Sequence, residues 1–93
     1  MAYVYILRLK SGGLYIGSTV NLHQRVQDHL LGHGCRTTRL DPPVELVYSE
    51  LYDSIEPAEE REIQLKHWSR SKKEALILGD LHSLKSLSKC RNH

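Results

Sequence analysis

Five side chains in this 93-residue sequence could do chemistry together: Tyr5, Tyr15, Arg25, His29 and Glu62. A phenol can take or give a proton, and an imidazole can orient or relay one. A guanidinium neutralises an anion, and a carboxylate holds a hard cation such as Mg²⁺. The spacing is regular: Tyr15 follows Tyr5 by ten residues, Arg25 follows Tyr15 by ten, and His29 comes four later. The chain has five tyrosines and no phenylalanine, so phenols stand where phenylalanine would fill a core without needing a hydrogen-bond partner.

These residues matter only if the chain brings them together. Tyr3 to Arg8 alternates and is rich in strand formers, Ser11-Gly12-Gly13 reads as a turn, and Leu14 to Ser18 as a second strand, which together predict a hairpin. Period two puts Tyr3, Tyr5 and Leu7 on one face and Val4 and Ile6 on the other. Tyr15 and Gly17 share a face of the partner strand, so Tyr5 and Tyr15 can meet with open space beside them at Gly17. A plain cross-strand aromatic pair is the alternative reading.

Thr19 or Asn21 can cap a helix running to about His33, with Leu22, Val26 and Leu30 as its apolar stripe. At about 100° per residue His29 falls inside that stripe and Arg25 at its edge. His29 reads either as a satisfied core histidine or as part of a site, and a neighbouring guanidinium calls for a carboxylate or a phosphate. "GCRTTRLDPP" reads as a basic loop, and Val44 to Leu51 as a third strand. A helix from Ser54 to about Trp68 tolerates Pro57 in its first turn. Glu62 lies within about 60° of Ala58, Leu65 and Ile55 on that helix, inside its apolar stripe. It then needs either an ion pair with Arg25 or a hard cation, Mg²⁺ or Mn²⁺. Zinc held by His29, His33 and Cys35 is a weaker alternative, because a fourth ligand and a CxxC pair are missing. "SKKEALILG" carries a capping box, Ser71 to Glu74, and a stop at Gly79.

The order β-β-α-β-α-α predicts one α+β domain over residues 1–80, with a small three-stranded, mainly antiparallel sheet flanked by helices. Residues 81–93 are expected as a short terminal helix or tail, with Leu81, Leu84 and Leu87 as its apolar positions. No apolar run approaches the roughly 20 residues that span a bilayer, and the N-terminus does not read as a secretory signal. Cys35 and Cys90 are expected as free thiols in the cytoplasm. A net charge of +2 hides segregation. Residues 1–40 carry five Lys/Arg against Asp28 alone, residues 41–65 eight acids against Arg61, and residues 66–93 seven bases against Glu74 and Asp80. That layout fits a polyanion-binding surface with an acidic element set into it, or equally a set of solvated faces.

Taken together, "YVY" at Tyr3-Val4-Tyr5, "YIG" at Tyr15-Ile16-Gly17, Arg25, His29 and Glu62 in "AEEREIQLKHWSR" resemble the GIY-YIG nuclease family. The similarity spans about residues 3–78 and is greatest to short stand-alone bacterial members, in which "KxWSRxKKEALI" is typical. Tyr3 stands where the family's first motif has glycine. The family's late asparagine has no clear match: Asn92 lies in the tail, and Lys72 or Lys73 occupies the region where such a polar residue would be sought.

The resemblance implies a metal-dependent DNA endonuclease acting in repair, recombination or processing, on branched, damaged or single-stranded sites. Glu62 would hold Mg²⁺ (or Mn²⁺) and Arg25 would neutralise the phosphate. Tyr5 would act as general base with Tyr15 or His29 assisting by hydrogen bond. Arg8, Lys10, Arg36, Arg39, Lys66, Arg70, Lys72 and Lys73 are the candidate phosphate contacts. Specificity would come from this surface or from a protein partner, and the chain would act as a monomer or weak homodimer. The alternative is a non-catalytic nucleic-acid-binding domain that keeps the same scaffold.

Overall fold

The computed structural model describes residues 1–79. Strand β1 (Ala2–Leu9) and β2 (Leu14–Thr19) form the expected hairpin. Helix α1 (Leu22–Leu30) and the short helix α2 (Arg36–Leu40) lead to strand β3 (Pro43–Tyr52), which is followed by α3 (Ile55–Lys66) and α4 (Arg70–Leu78). The sheet has the order β2-β1-β3 and is antiparallel throughout, giving the α+β fold that the element order predicts.

Alternation along the central strand organises both faces. Ala2, Val4 and Ile6 are fully buried and pack with Ile16, Ala58, Leu65 and Leu76, so α3 and α4 cover this side. Burying Val4 and Ile6 contributes about 1.5–3 kcal/mol each, which makes β1 the keel of the domain. Tyr5 and Leu7, on the opposite face, are equally sheltered and lie on the side that α1 covers. Two ion-pair clusters tie the layers together. Arg61 holds Glu50 at 3.0 and 3.1 Å, and Tyr48 and Tyr52 donate to the same carboxylate, which joins β3 to α3. Arg8 donates both arms of its guanidinium to Glu74 at 2.6 and 2.8 Å, and Arg70 adds a third bond at 2.9 Å. These partners, Arg8 first, pull the Glu74 carboxyl down to about 2 and clamp the hairpin to α4.

Several expectations change. The basic stretch taken as a loop contains α2, a single five-residue turn of helix with a fully buried Thr38. Helix α1 ends at Leu30 rather than near His33, and its buried residue is His29, while Leu30 is half exposed. The cap of α4 is Ser69, whose side chain accepts from the Lys72 N–H at 3.2 Å; Ser71 sits inside the helix and Glu74 is committed to Arg8 and Arg70, so no capping box forms there. The tail beyond Gly79, with Asn92, Cys90 and the expected terminal helix, lies outside the described residues.

Candidate active site

The strand register carries Tyr5 into the site. Tyr5 pairs with Gly17 and Leu7 with Tyr15, so both phenols project from one face of the hairpin, with ring centroids 6.3 Å apart. The Tyr5 hydroxyl end lies over Gly17. A Cβ built at Gly17 would stand 2.5 Å from the Tyr5 oxygen and 2.7 Å from Cζ, so only glycine leaves the phenol room. Gly17→Ala should therefore destabilise the domain by about 1–3 kcal/mol through overpacking, offset by less than about 1 kcal/mol from the stiffer unfolded chain. Urea denaturation of the two proteins measures it.

Asn21 caps α1 by accepting from the Gln24 N–H at 3.1 Å, and the helix then delivers His29 onto the tyrosines. His29 Nε2 lies 3.0 Å from the Tyr5 hydroxyl, and the imidazole packs at a tilt of 56° against the Tyr15 ring, with centroids 5.1 Å apart. On its other edge Nδ1 lies 2.7 Å from Thr38 Oγ1, and Thr38 donates to the Cys35 carbonyl at 3.1 Å. The turn between the helices presses on the ring: a Cβ on Gly34 would overlap His29 Nδ1. Both imidazole nitrogens are thus engaged, and His33 is exposed, which leaves the zinc reading without its ligand set. Tyr15 hydrogen-bonds to Cys35, a free thiol. Burial would raise that thiol, but bonds from Tyr15, Thr38 and Thr37 hold it at about 7.

Burial dominates the electrostatics. It pushes the Tyr5 hydroxyl up to about 12, with Glu62 and Cys35 adding to the rise and Arg25 opposing it. Burial, then the Cys35 bond, raises Tyr15 further. His29 is lowered from 6.5, first by burial and then by Arg25, against Asp28. The folded protein refuses a proton that the unfolded chain accepts just below pH 6.5. Stability is therefore complete above that pH and falls as the pH drops beneath it toward the folded value. Urea midpoints between about pH 5 and 7.5 should show this decline, and His29→Gln should lack that part of it.

Glu62 comes from the other side. Its two oxygens accept from Ser18 at 2.5 Å and pair with Lys66 at 2.6 Å. Ser18 neighbours Gly17 but alternation turns it toward α3, so Glu62 grips β2 from the face opposite the phenols. Its charge still reaches both tyrosines. The expected alternative of a Glu62–Arg25 ion pair is not formed: Lys66 takes that place, and Arg25 is exposed with its charge felt by Tyr5 and His29.

The remaining basic residues divide. Arg8 and Arg70 are held by Glu74, Lys66 by Glu62, and Lys72 is buried with its ammonium 4.2 Å from the Trp68 ring centre. Lys10, Arg36 and Arg39 are exposed, and Lys73 is half-buried. No role for Ser18 or Thr38 is read from the sequence. Period two alone could have pointed Ser18 at α3, whereas Thr38 sits in a stretch with no helix signal.

Residues 1–75 match the family model described as the GIY-YIG catalytic domain. The chain is 45% identical over 78 residues to a UPF0213 protein of Natronomonas pharaonis, covering 84% of this chain and 92% of that one. It is 40% identical over 75 residues to a UPF0213 protein of Staphylococcus saprophyticus, with 81% and 92% covered. The solution NMR structure of a UPF0213 protein from Bacillus halodurans superposes with a TM-score of 0.55 at 40% identity, covering 86% of each chain. Family model, relatives and fold agree: the chain belongs to the GIY-YIG family, a nuclease superfamily.

Proposed function

We propose that the protein is a divalent-metal-dependent DNA endonuclease. The observation that carries this reading is the buried Tyr5–His29 hydrogen bond, flanked by Tyr15, with Arg25 and Glu62 within electrostatic reach. A plain aromatic pair would need neither the histidine nor the glycine under the phenol.

The residues fit a hard cation. Glu62 and Ser18 offer oxygen donors only, and the Lys66 ammonium on Glu62 marks the position as one that accepts positive charge. Lys66 is half exposed, so a cation that displaced it would leave its ammonium in solvent. Mg²⁺ commonly takes one or two carboxylates and fills its other positions with water and substrate phosphate oxygens, so Glu62 suffices as the protein ligand. A cation held by Glu62 on the α3 side of β2, from which the charge reaches both phenols, would supply Lewis-acid polarisation of the phosphoryl group and stabilisation of the leaving oxygen.

The chain's own groups then do the following. Tyr5 is too weakly acidic to stand as phenolate at neutral pH, so it works as a neutral relay. Its oxygen takes a proton from the attacking water while its own proton passes to His29 Nε2, leaving hydroxide equivalent at phosphorus and imidazolium on α1. Arg25, exposed at the rim, meets the phosphate and balances its growing charge. Arg36 and Arg39 flank Thr38 on α2 and set positive charge beside the relay, where backbone contacts give affinity without sequence preference. The reading extends to repair, recombination or processing of branched, damaged or single-stranded DNA, where contacts to the backbone suffice for binding.

The test is a cleavage panel of supercoiled plasmid, branched and single-stranded DNA with Mg²⁺, Mn²⁺ or chelator. Metal-dependent cutting of at least one substrate is expected. A salt-sensitive gel shift with no cutting under any condition would replace this reading by a binding domain.

A further inference from the structure

We propose that Thr38 is a positioning residue that fixes His29 in the Nδ1–H tautomer and thereby makes Nε2 the acceptor for the Tyr5 hydroxyl. The inference deepens the nuclease reading by naming what sets the direction of its proton relay.

The argument is one of counting donors. A threonine hydroxyl carries a single proton and two lone pairs. Thr38 is fully buried and spends its proton on the Cys35 carbonyl at 3.1 Å. Toward His29 Nδ1, 2.7 Å away, it can then only accept, so Nδ1 carries the hydrogen and Nε2 is the bare nitrogen. Nε2 in turn receives the Tyr5 O–H at 3.0 Å. One directed chain results, from Tyr5 to His29 to Thr38 to the Cys35 carbonyl, with every member satisfied. The reverse assignment has Thr38 donating to Nδ1 and an Nε2–H pointing at Tyr5. The Cys35 carbonyl would keep the Arg39 N–H, but the Tyr5 hydrogen would have no acceptor among the described residues in a site where Tyr5 is 2% exposed. Buried hydroxyls keep their partners, so the forward direction wins.

A second observation supports it independently. Gly34 lies so close to Nδ1 and to Thr38 Oγ1 that no side chain fits, and the backbone turn therefore holds threonine and imidazole in register. The Cys35 carbonyl is itself fixed, since it also accepts from the Arg39 N–H at 3.1 Å inside α2. The five-residue helix thus presents Thr38 from a rigid mount, and its function is to choose which nitrogen faces Tyr5.

The experiment is long-range ¹H–¹⁵N correlation of the histidines in uniformly labelled protein, for the parent, Thr38→Ser and Thr38→Val. Parent and Thr38→Ser should show His29 with a protonated Nδ1 and a pyridine-like Nε2, and Thr38→Val should lose that pattern toward the other tautomer or a mixture. In parallel, Thr38→Val should cut DNA about 10–100-fold more slowly at saturating substrate with unchanged substrate affinity, and Thr38→Ser should restore the rate. If Thr38→Val fails to fold, Thr38→Ala removes the same hydroxyl with less bulk. A protonated Nε2 in the parent, or an unchanged His29 signature in the folded Val or Ala variant, overturns the proposal. Because the nitrogen shifts are read without substrate, a parent that cuts no DNA would sink the nuclease reading while leaving the tautomer assignment standing or falling on its own spectrum.

Discussion

Glu62→Ala is expected to lower metal-dependent cleavage by at least about 10³-fold while the domain stays folded. A metal-held charge contributes several kcal/mol to a phosphoryl transition state, and each 1.36 kcal/mol is about tenfold in rate. Glu62 is the acidic side chain that combines a partly sheltered position, a hydroxyl partner on β2 and reach to both phenols. Stability should fall by about 1–2 kcal/mol, because the Ser18 hydrogen bond to the carboxylate is lost along with the half-exposed Lys66 pair, while alanine favours the helix. DNA binding by gel shift should be close to the parent's, since the exposed arginines of α2 are untouched. A folded Glu62→Ala protein that cuts at the parental rate would remove Glu62 from the mechanism.

Tyr5→Phe is the second large effect, with an expected loss of about 10²–10⁴-fold in the rate at saturating substrate. The ring stays, Gly17 still accommodates it, and only the oxygen that bridges water to His29 disappears. Stability should fall by about 1 kcal/mol, the cost of leaving His29 Nε2 without its donor. Tyr15→Phe is the internal comparison. Its hydroxyl is spent on Cys35 rather than on the imidazole, so its loss should be clearly smaller. A larger loss at Tyr15 than at Tyr5 would reverse the assignment of the base.

Much of the fold was legible because two periods are strong signals. Alternation in Tyr3 to Arg8 and Leu14 to Ser18 predicted a hairpin with the phenols on one face, and the register places Tyr5 opposite Gly17. The helical period put His29 inside the stripe of α1, where it is buried. Helix α2 was invisible for physical reasons. It is one short turn with β-branched Thr37 and Thr38, it lacks a side-chain cap, and its tertiary bonds rather than its propensity hold it. The capping box misled because Ser69 and Ser71 both precede a lysine-rich run, and tertiary pairing of Glu74 with Arg8 decided between them. Glu62 was correctly found on an inward face, but a wheel cannot say which partner waits there, and an i,i+4 lysine was nearer than Arg25.

The way the site is assembled also has a temporal side. The relay draws on Tyr5, His29 and Thr38, all within the first 38 residues, whereas the carboxylate that would recruit the cation arrives with Glu62 on α3. A ribosome releases the chain from the N-terminus, so proton-handling parts emerge first and the charge-gathering part last. On the proposed mechanism, a product truncated before α3 lacks the cation ligand as well as the helices that bury Val4 and Ile6, so it can neither complete the core nor cut.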